Sequence, residues 1–101
     1  MIYWKNYSDK KTGVRGLAIV FNTYDAQIHF HPVEEEYEIL YGKARLYIDG
    51  TEKIITAPYK TWICANSTHA LKPITPFVIM KYYFPKGPSK NIPYTWLSSR
   101  L

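Results

Sequence analysis

Three histidines occur in this 101-residue chain, and two of them stand two apart at His29-Phe30-His31. Neutral imidazole is a good ligand for divalent transition metals. In a β-strand, residues i and i+2 share a face at about 6 to 7 Å along the chain, so two such rings can converge on one ion at about 2 Å each. Glu35 follows after Pro32, Val33 and Glu34, and a bend at the proline can return a carboxylate to the same face. His69 opens a later strand-like run. If the sheets make the two segments neighbours, three nitrogens and one carboxylate oxygen form a set suited to Fe, Mn, Ni, Co or Zn, with a position open for water, O2 or substrate. Taken singly, a His-X-His pair or the acidic run Glu34-Glu35-Glu36 is more often a surface feature, and Glu34 and Glu36 compete with Glu35 as the carboxylate.

Several neighbours could serve that site. Gln27 has the strand parity of the two histidines, so we expect it to point the same way and orient a substrate or ligand. Tyr37, two after Glu35, is the candidate catalytic residue, as a hydrogen-bond donor or a base near a metal. Arg45 and Tyr47 are the further substrate-binding candidates, with packing or surface exposure as the competing reading. Tyr41, Lys81 and Tyr82 are polar groups of the same standing. Cys64, in Trp-Ile-Cys, reads as a small core residue rather than a nucleophile.

The elements that must position these groups are β-strands. Short β-branched and aromatic runs bounded by turn residues fill the chain, a pattern of an all-β sandwich or barrel. Candidate strands cover 2–7, 16–22, 26–31, 36–41, 44–48, 53–56, 61–64, 69–72 and 77–84. Asp49-Gly50 supplies the positive φ angles of a tight hairpin between the fifth and sixth of them. Residues 33–41 also carry a helical spacing, Val33, Tyr37, Leu40 and Tyr41, with Pro32 before it and Gly42 after it, but the alternation Tyr37, Ile39, Tyr41 favours a strand. From 85 to 93 three prolines and a glycine mark an extended connector, followed by apolar Tyr94, Trp96 and Leu97.

Composition narrows the function classes. The length allows one domain, residues 1–101, with a core at about 14–84 and a C-terminal arm at 85–101. The single cysteine excludes an internal disulfide. The start Met-Ile-Tyr-Trp-Lys-Asn lacks the basic stretch and apolar run of a secretory signal, and no window reaches 18 apolar residues; we expect a cytoplasmic protein that does not enter membranes. The net charge is +5, with all eight acids in the first 52 residues, but the later basic residues form no cluster, and nucleic-acid binding is not expected.

The spacing His29-X-His31-X3-Glu35-X6-Gly42 resembles the first motif of the cupin superfamily, and Cys64-Ala-Asn66-Ser-Thr-His69 resembles the second. The resemblance covers about residues 26 to 73. It implies a double-stranded β-helix, or jelly-roll, cupin barrel that holds one divalent metal on His29, His31, Glu35 and His69; the six-residue distance to Gly42 selects Glu35. Departures are Thr23, Cys64, Asn66 and Pro73, where the family pattern has glycine, proline, glycine and asparagine. The resemblance further implies a metal-dependent enzyme acting on a small polar or anionic metabolite, by dioxygenase, isomerase, decarboxylase or lyase chemistry. The spacing is also similar to that of cupin lyases that cleave dimethylsulfoniopropionate (DMSP). The alternative is a non-catalytic small-molecule or metal-binding module, a sensor or stabilising subunit. Cupins commonly pair into two-fold dimers, so a homodimer is expected, with the C-terminal arm or the N-terminal strand against the partner.

Overall fold

The computed structural model describes residues 2–10, 13–86 and 92–101. Among these the chain runs through ten strands: Ile2–Lys10 (β1), Gly13–Phe21 (β2), Gln27–Phe30 (β3), Glu35–Tyr41 (β4), Lys43–Ile48 (β5), Thr51–Thr56 (β6), Tyr59–Ile63 (β7), His69–Pro73 (β8), Phe77–Phe84 (β9) and Thr95–Arg100 (β10). Two five-stranded sheets form, in the orders β1-β2-β9-β4-β7 and β10-β3-β8-β5-β6, with antiparallel pairing throughout. This is a jelly-roll barrel. No helix occurs among the described residues, so none is long and apolar enough to cross a membrane.

Strand alternation places the core. Along β4, Glu35, Tyr37 and Ile39 are buried while Glu36 and Glu38 stand between them partly exposed. A helix over 33–41 would have needed Leu40 and Tyr41 on the buried side with Tyr37, yet they are 43% and 52% exposed. Val20, Ile39, Leu46, Ile63 and Val78 meet between the sheets with the Tyr37 ring. Burying such side chains contributes about 1.5–3 kcal/mol each. The β5–β6 hairpin turns at Asp49 and Gly50, both at positive φ (48° and 89°), as the Asp-Gly pair predicts. Asp49 then reaches beyond its turn: its Oδ1 accepts from the Thr68 N–H at 2.9 Å, anchoring the approach to β8.

The C-terminal arm, one of two segments expected against a partner, lies as β10 along β3 of the same barrel, with Thr95 opposite Phe30 and Trp96 opposite His29. Arg100 secures its end, its guanidinium Nε donating to both Asp25 carboxylate oxygens at 2.8 and 2.9 Å. The physical reason is that β3 offers an unpaired ladder of backbone groups and an apolar face beside it. Most of the connector expected at 85–93 falls at 87–91, outside the described residues. Cys64, expected in the core, is exposed just past β7, because Ile63 takes the inward position.

Candidate metal centre

The sheet register carries the histidines together. His29 on β3 lies directly opposite His69 on β8, a pairing that turns forty residues of separation into van der Waals contact, with ring centroids 4.3 Å apart. Trp96 flanks His29 on the other side, so β10, β3 and β8 set Trp96, His29 and His69 in one cross-strand row. His31 stands one residue beyond β3, its ring 4.8 Å from that of His69. Glu35 arrives from the other sheet as the first residue of β4. One ring nitrogen from each histidine lies within 4.8 Å of the others, and all three residues are buried.

Backbone carbonyls determine which nitrogens face inward. The Nδ1 atoms of His29, His31 and His69 lie 3.0, 2.8 and 2.8 Å from the carbonyl oxygens of Gln27, Val33 and Ser67. A carbonyl oxygen only accepts, so each Nδ1 carries its hydrogen and donates, leaving Nε2 as the free donor atom toward a metal. Metal-binding histidines are commonly oriented in this way. The turns that present those carbonyls are local products of the sequence. Pro32 and Val33 turn the chain between His31 and Glu35. Cys64 to Ser67 closes a β-turn, the Ser67 N–H donating to the Cys64 carbonyl at 3.1 Å, with Asn66 at φ 65°. That is the conformation for which glycine is favoured and asparagine is the tolerated substitute. The departure from the family pattern at Asn66 therefore preserves the loop that holds His69. Gly42, which closes the first motif, has φ 101°, and a Cβ there would lie 2.8 Å from the Phe77 carbonyl oxygen and from Thr75 Oγ1.

The cluster could hold a cation. Glu35 Oε1 lies 3.1 Å from His31 Nε2 and 3.5 Å from His69 Nε2, with the carboxylate almost fully buried. A neutral imidazole would point a lone pair at a carboxylate oxygen. A proton on His31 would satisfy that contact alone. It would leave His69 Nε2, which is buried and has no hydrogen-bond partner, unsatisfied at a cost of about 1–3 kcal/mol. One divalent ion shared by the nitrogens and Glu35 relieves every one of these contacts. Burial, and after it the neighbouring His69, lowers the His29 pKa to about 4, so that ring keeps its lone pair at neutral pH.

The cluster opens on a cavity of about 360 Å³, reached by His29 and Glu35 and walled by both sheets. Tyr37 lines it, with its ring centroid 6.0 Å from that of His69. Burial foremost, then the Glu35 carboxylate, pushes the Tyr37 hydroxyl well above its ordinary range. Tyr82 also lines the cavity, its phenol raised to about 12 by burial and then by Glu35, and its hydroxyl donates to Asn6 Oδ1 at 2.5 Å. The expected substrate-binding residues Gln27, Arg45 and Tyr47 do not line the cavity. Gln27 has the parity expected of it, but its amide donates to the Leu97 carbonyl at 2.6 Å and so ties β10 down. Arg45 and Tyr47 alternate with buried Ala44 and Leu46 and therefore face outward, Arg45 pairing with Glu52. That alternation was readable in the sequence. Trp4, Asn6, Tyr24, Tyr94 and Trp96 complete much of the wall and were not singled out for it, because they come from β1, the turn between β2 and β3, and the β10 segment, all distant in sequence from His31 and Glu35.

No family model and no curated protein matches the sequence. Solved structures do match the fold. A crystal structure of DMSP lyases superposes with a TM-score of 0.81 at 13% identity over 96% of this chain and 53% of the other. An RmlC-like cupin from Shewanella frigidimarina gives 0.74 at 13% identity, covering 83% of this chain and 76% of that one. The fold is that of the cupins. A Bacillus subtilis oxalate decarboxylase variant also matches, with a TM-score of 0.73 at 17% identity, over 95% of this chain but only 27% of the decarboxylase. The chain spans about half the length of the DMSP lyase chain it resembles in fold.

Proposed function

We propose that this cupin binds one divalent metal ion on His29, His31, His69 and Glu35 and acts as an enzyme on a small metabolite that brings a polar or anionic group to that ion. The observation that carries the reading is the arrangement of three Nδ1–H groups committed to carbonyls, with Glu35 Oε1 set between two remaining nitrogens and His69 Nε2 unpartnered in the interior. A metal bound there would supply Lewis acidity toward oxygen donors or, as Fe(II), reactivity toward O2. The chain's own residues do the rest. Tyr37, on the cavity wall, would donate a hydrogen bond from its hydroxyl to a bound ligand. Trp96 and Tyr94, with rings 4.5 Å and 5.5 Å from that of His29, shield the cluster from bulk water.

Support also comes from the company the fold keeps, since a DMSP lyase and an oxalate decarboxylase are built on it. Lyase, decarboxylase, isomerase and dioxygenase reactions all suit a Lewis-acidic centre of this composition. The test is elemental analysis of protein purified without a metal-affinity step, joined to a thermal-shift screen of small carboxylates. Stoichiometric metal is expected in the wild type and in Glu36→Gln, and its loss in His31→Ala and His69→Ala with the all-β circular dichroism intact. Unchanged metal in both histidine variants would refute the assignment. Metal and ligand binding with no turnover of any bound compound would identify a non-catalytic binding module instead.

A further inference from the structure

The cavity that opens on His29 and Glu35 has a wall of unusual one-sidedness. Seven of its fifteen lining residues are Phe, Tyr or Trp, and five more are aliphatic or Met. Among the described residues no Lys or Arg reaches it. Two of its polar groups are committed, the Tyr82 hydroxyl to Asn6 Oδ1 and the His29 Nδ1–H to the Gln27 carbonyl; apart from Glu35 and the Asn6 amide, the others, tyrosine hydroxyls among them, are carried on the aromatic rings. A sugar or other polyol placed here would meet mainly ring and aliphatic surface, and hydroxyls facing that surface would lack partners, which a buried polar group tolerates poorly. At the mouth, Trp4 from β1 and Trp96 from β10 are 63% and 50% exposed, large apolar faces that regain burial only when something covers them.

We propose that the ligand of this cavity has two unlike ends: oxygen donors that chelate the metal, and a flat aromatic or conjugated body that lies among the rings of Tyr24, Tyr82, Trp4 and Trp96. The chelating end rests on the metal reading above; the flat body rests on the wall alone. A cationic body would also suit aromatic faces. Three neutral imidazoles and one carboxylate leave a net positive charge on a divalent centre, however, and that charge at the cavity floor disfavours a second cation within 360 Å³.

The test holds the chelating group constant and varies the body. Full-length protein loaded with Zn(II) is titrated calorimetrically with benzohydroxamate, acetohydroxamate and glycine hydroxamate. Benzohydroxamate is expected to bind tighter than acetohydroxamate by about tenfold or more, since each buried methylene-sized group contributes roughly fourfold. Trp96→Ala and Trp4→Ala, which lie on different sheets, should each shrink that preference to within about threefold. Equal affinities of the aryl and methyl compounds would overturn the proposal, and tightest binding of glycine hydroxamate would replace it with a cationic body. The same titrations on EDTA-treated protein separate the two ideas. If Zn(II) is not retained, the metal reading fails, and the flat-body proposal then stands or falls on whether benzohydroxamate alone still binds the metal-free cavity.

Discussion

Replacing Gly16 with Ala tests how the cavity wall is built. Gly16 sits in β2 between Asn6 on β1 and Tyr82 on β9, and Tyr82 is in turn opposite Tyr37 on β4, so four strands contribute to one row across the sheet. The Tyr82 ring lies over Gly16 to reach the Asn6 side chain two strands away, a span of about 9.5 Å. A Cβ on residue 16 would stand 2.0 Å from Tyr82 Cζ and 2.1 Å from its hydroxyl oxygen, so the ring must leave. The backbone at Gly16 lies outside the left-handed region, and the whole penalty therefore comes from the ring. Its departure forfeits the bond to Asn6, about 1 kcal/mol, and part of the packing of an aromatic side chain. Against this, alanine restricts the unfolded chain and returns about 0.4–1 kcal/mol. Forced overpacking generally costs about 1–3 kcal/mol, and the net loss expected here is of that size, equivalent to a fall in Tm of roughly 5–15 °C. Differential scanning calorimetry on Gly16→Ala, Tyr82→Ala and the double variant measures it. In the Tyr82→Ala background the clash is gone, and Gly16→Ala should become neutral or slightly stabilising. A Tm for Gly16→Ala within about 2 °C of the wild type, or an equal loss with and without the Tyr82 ring, would refute the reasoning.

Tyr37→Phe is expected to leave metal content and folding intact and to lower turnover of an identified substrate by a factor on the order of 10², measured by steady-state kinetics; an undiminished rate would return Tyr37 to barrel packing. Asn66→Gly should be close to neutral, whereas Asn66→Val places a β-branched residue at φ 65° and should cost about 1–2 kcal/mol in chemical denaturation. Metal occupancy should fall with it, because Ser67, the next residue, holds the Nδ1 hydrogen of His69. We also expect sedimentation analysis to give a homodimer, formed through the open β1 edge with its exposed Tyr3, now that β10 covers its own barrel. A monomer at tens of micromolar would exclude it.

What the sequence determined by itself was local. The strand character of most segments follows from alternation over a few residues, and the Asp49-Gly50 turn from the φ angles those two residues accept. The convergence of His29 and His31, with Glu35 returning after a proline bend, needs only the period of a strand and one turn. The outward facing of Arg45 and Tyr47 was equally local, written in the alternation with Ala44 and Leu46. Tertiary structure decided what depends on register between distant strands. It set His69 opposite His29, laid Tyr82 over Gly16 toward Asn6, turned Gln27 from the cavity to the Leu97 carbonyl, and brought β10 back beside β3. Local rules specify which face a side chain occupies, because strand geometry repeats every two residues. Which other face it meets depends on how two sheets close on one core, and that free energy is shared among residues scattered along the whole chain.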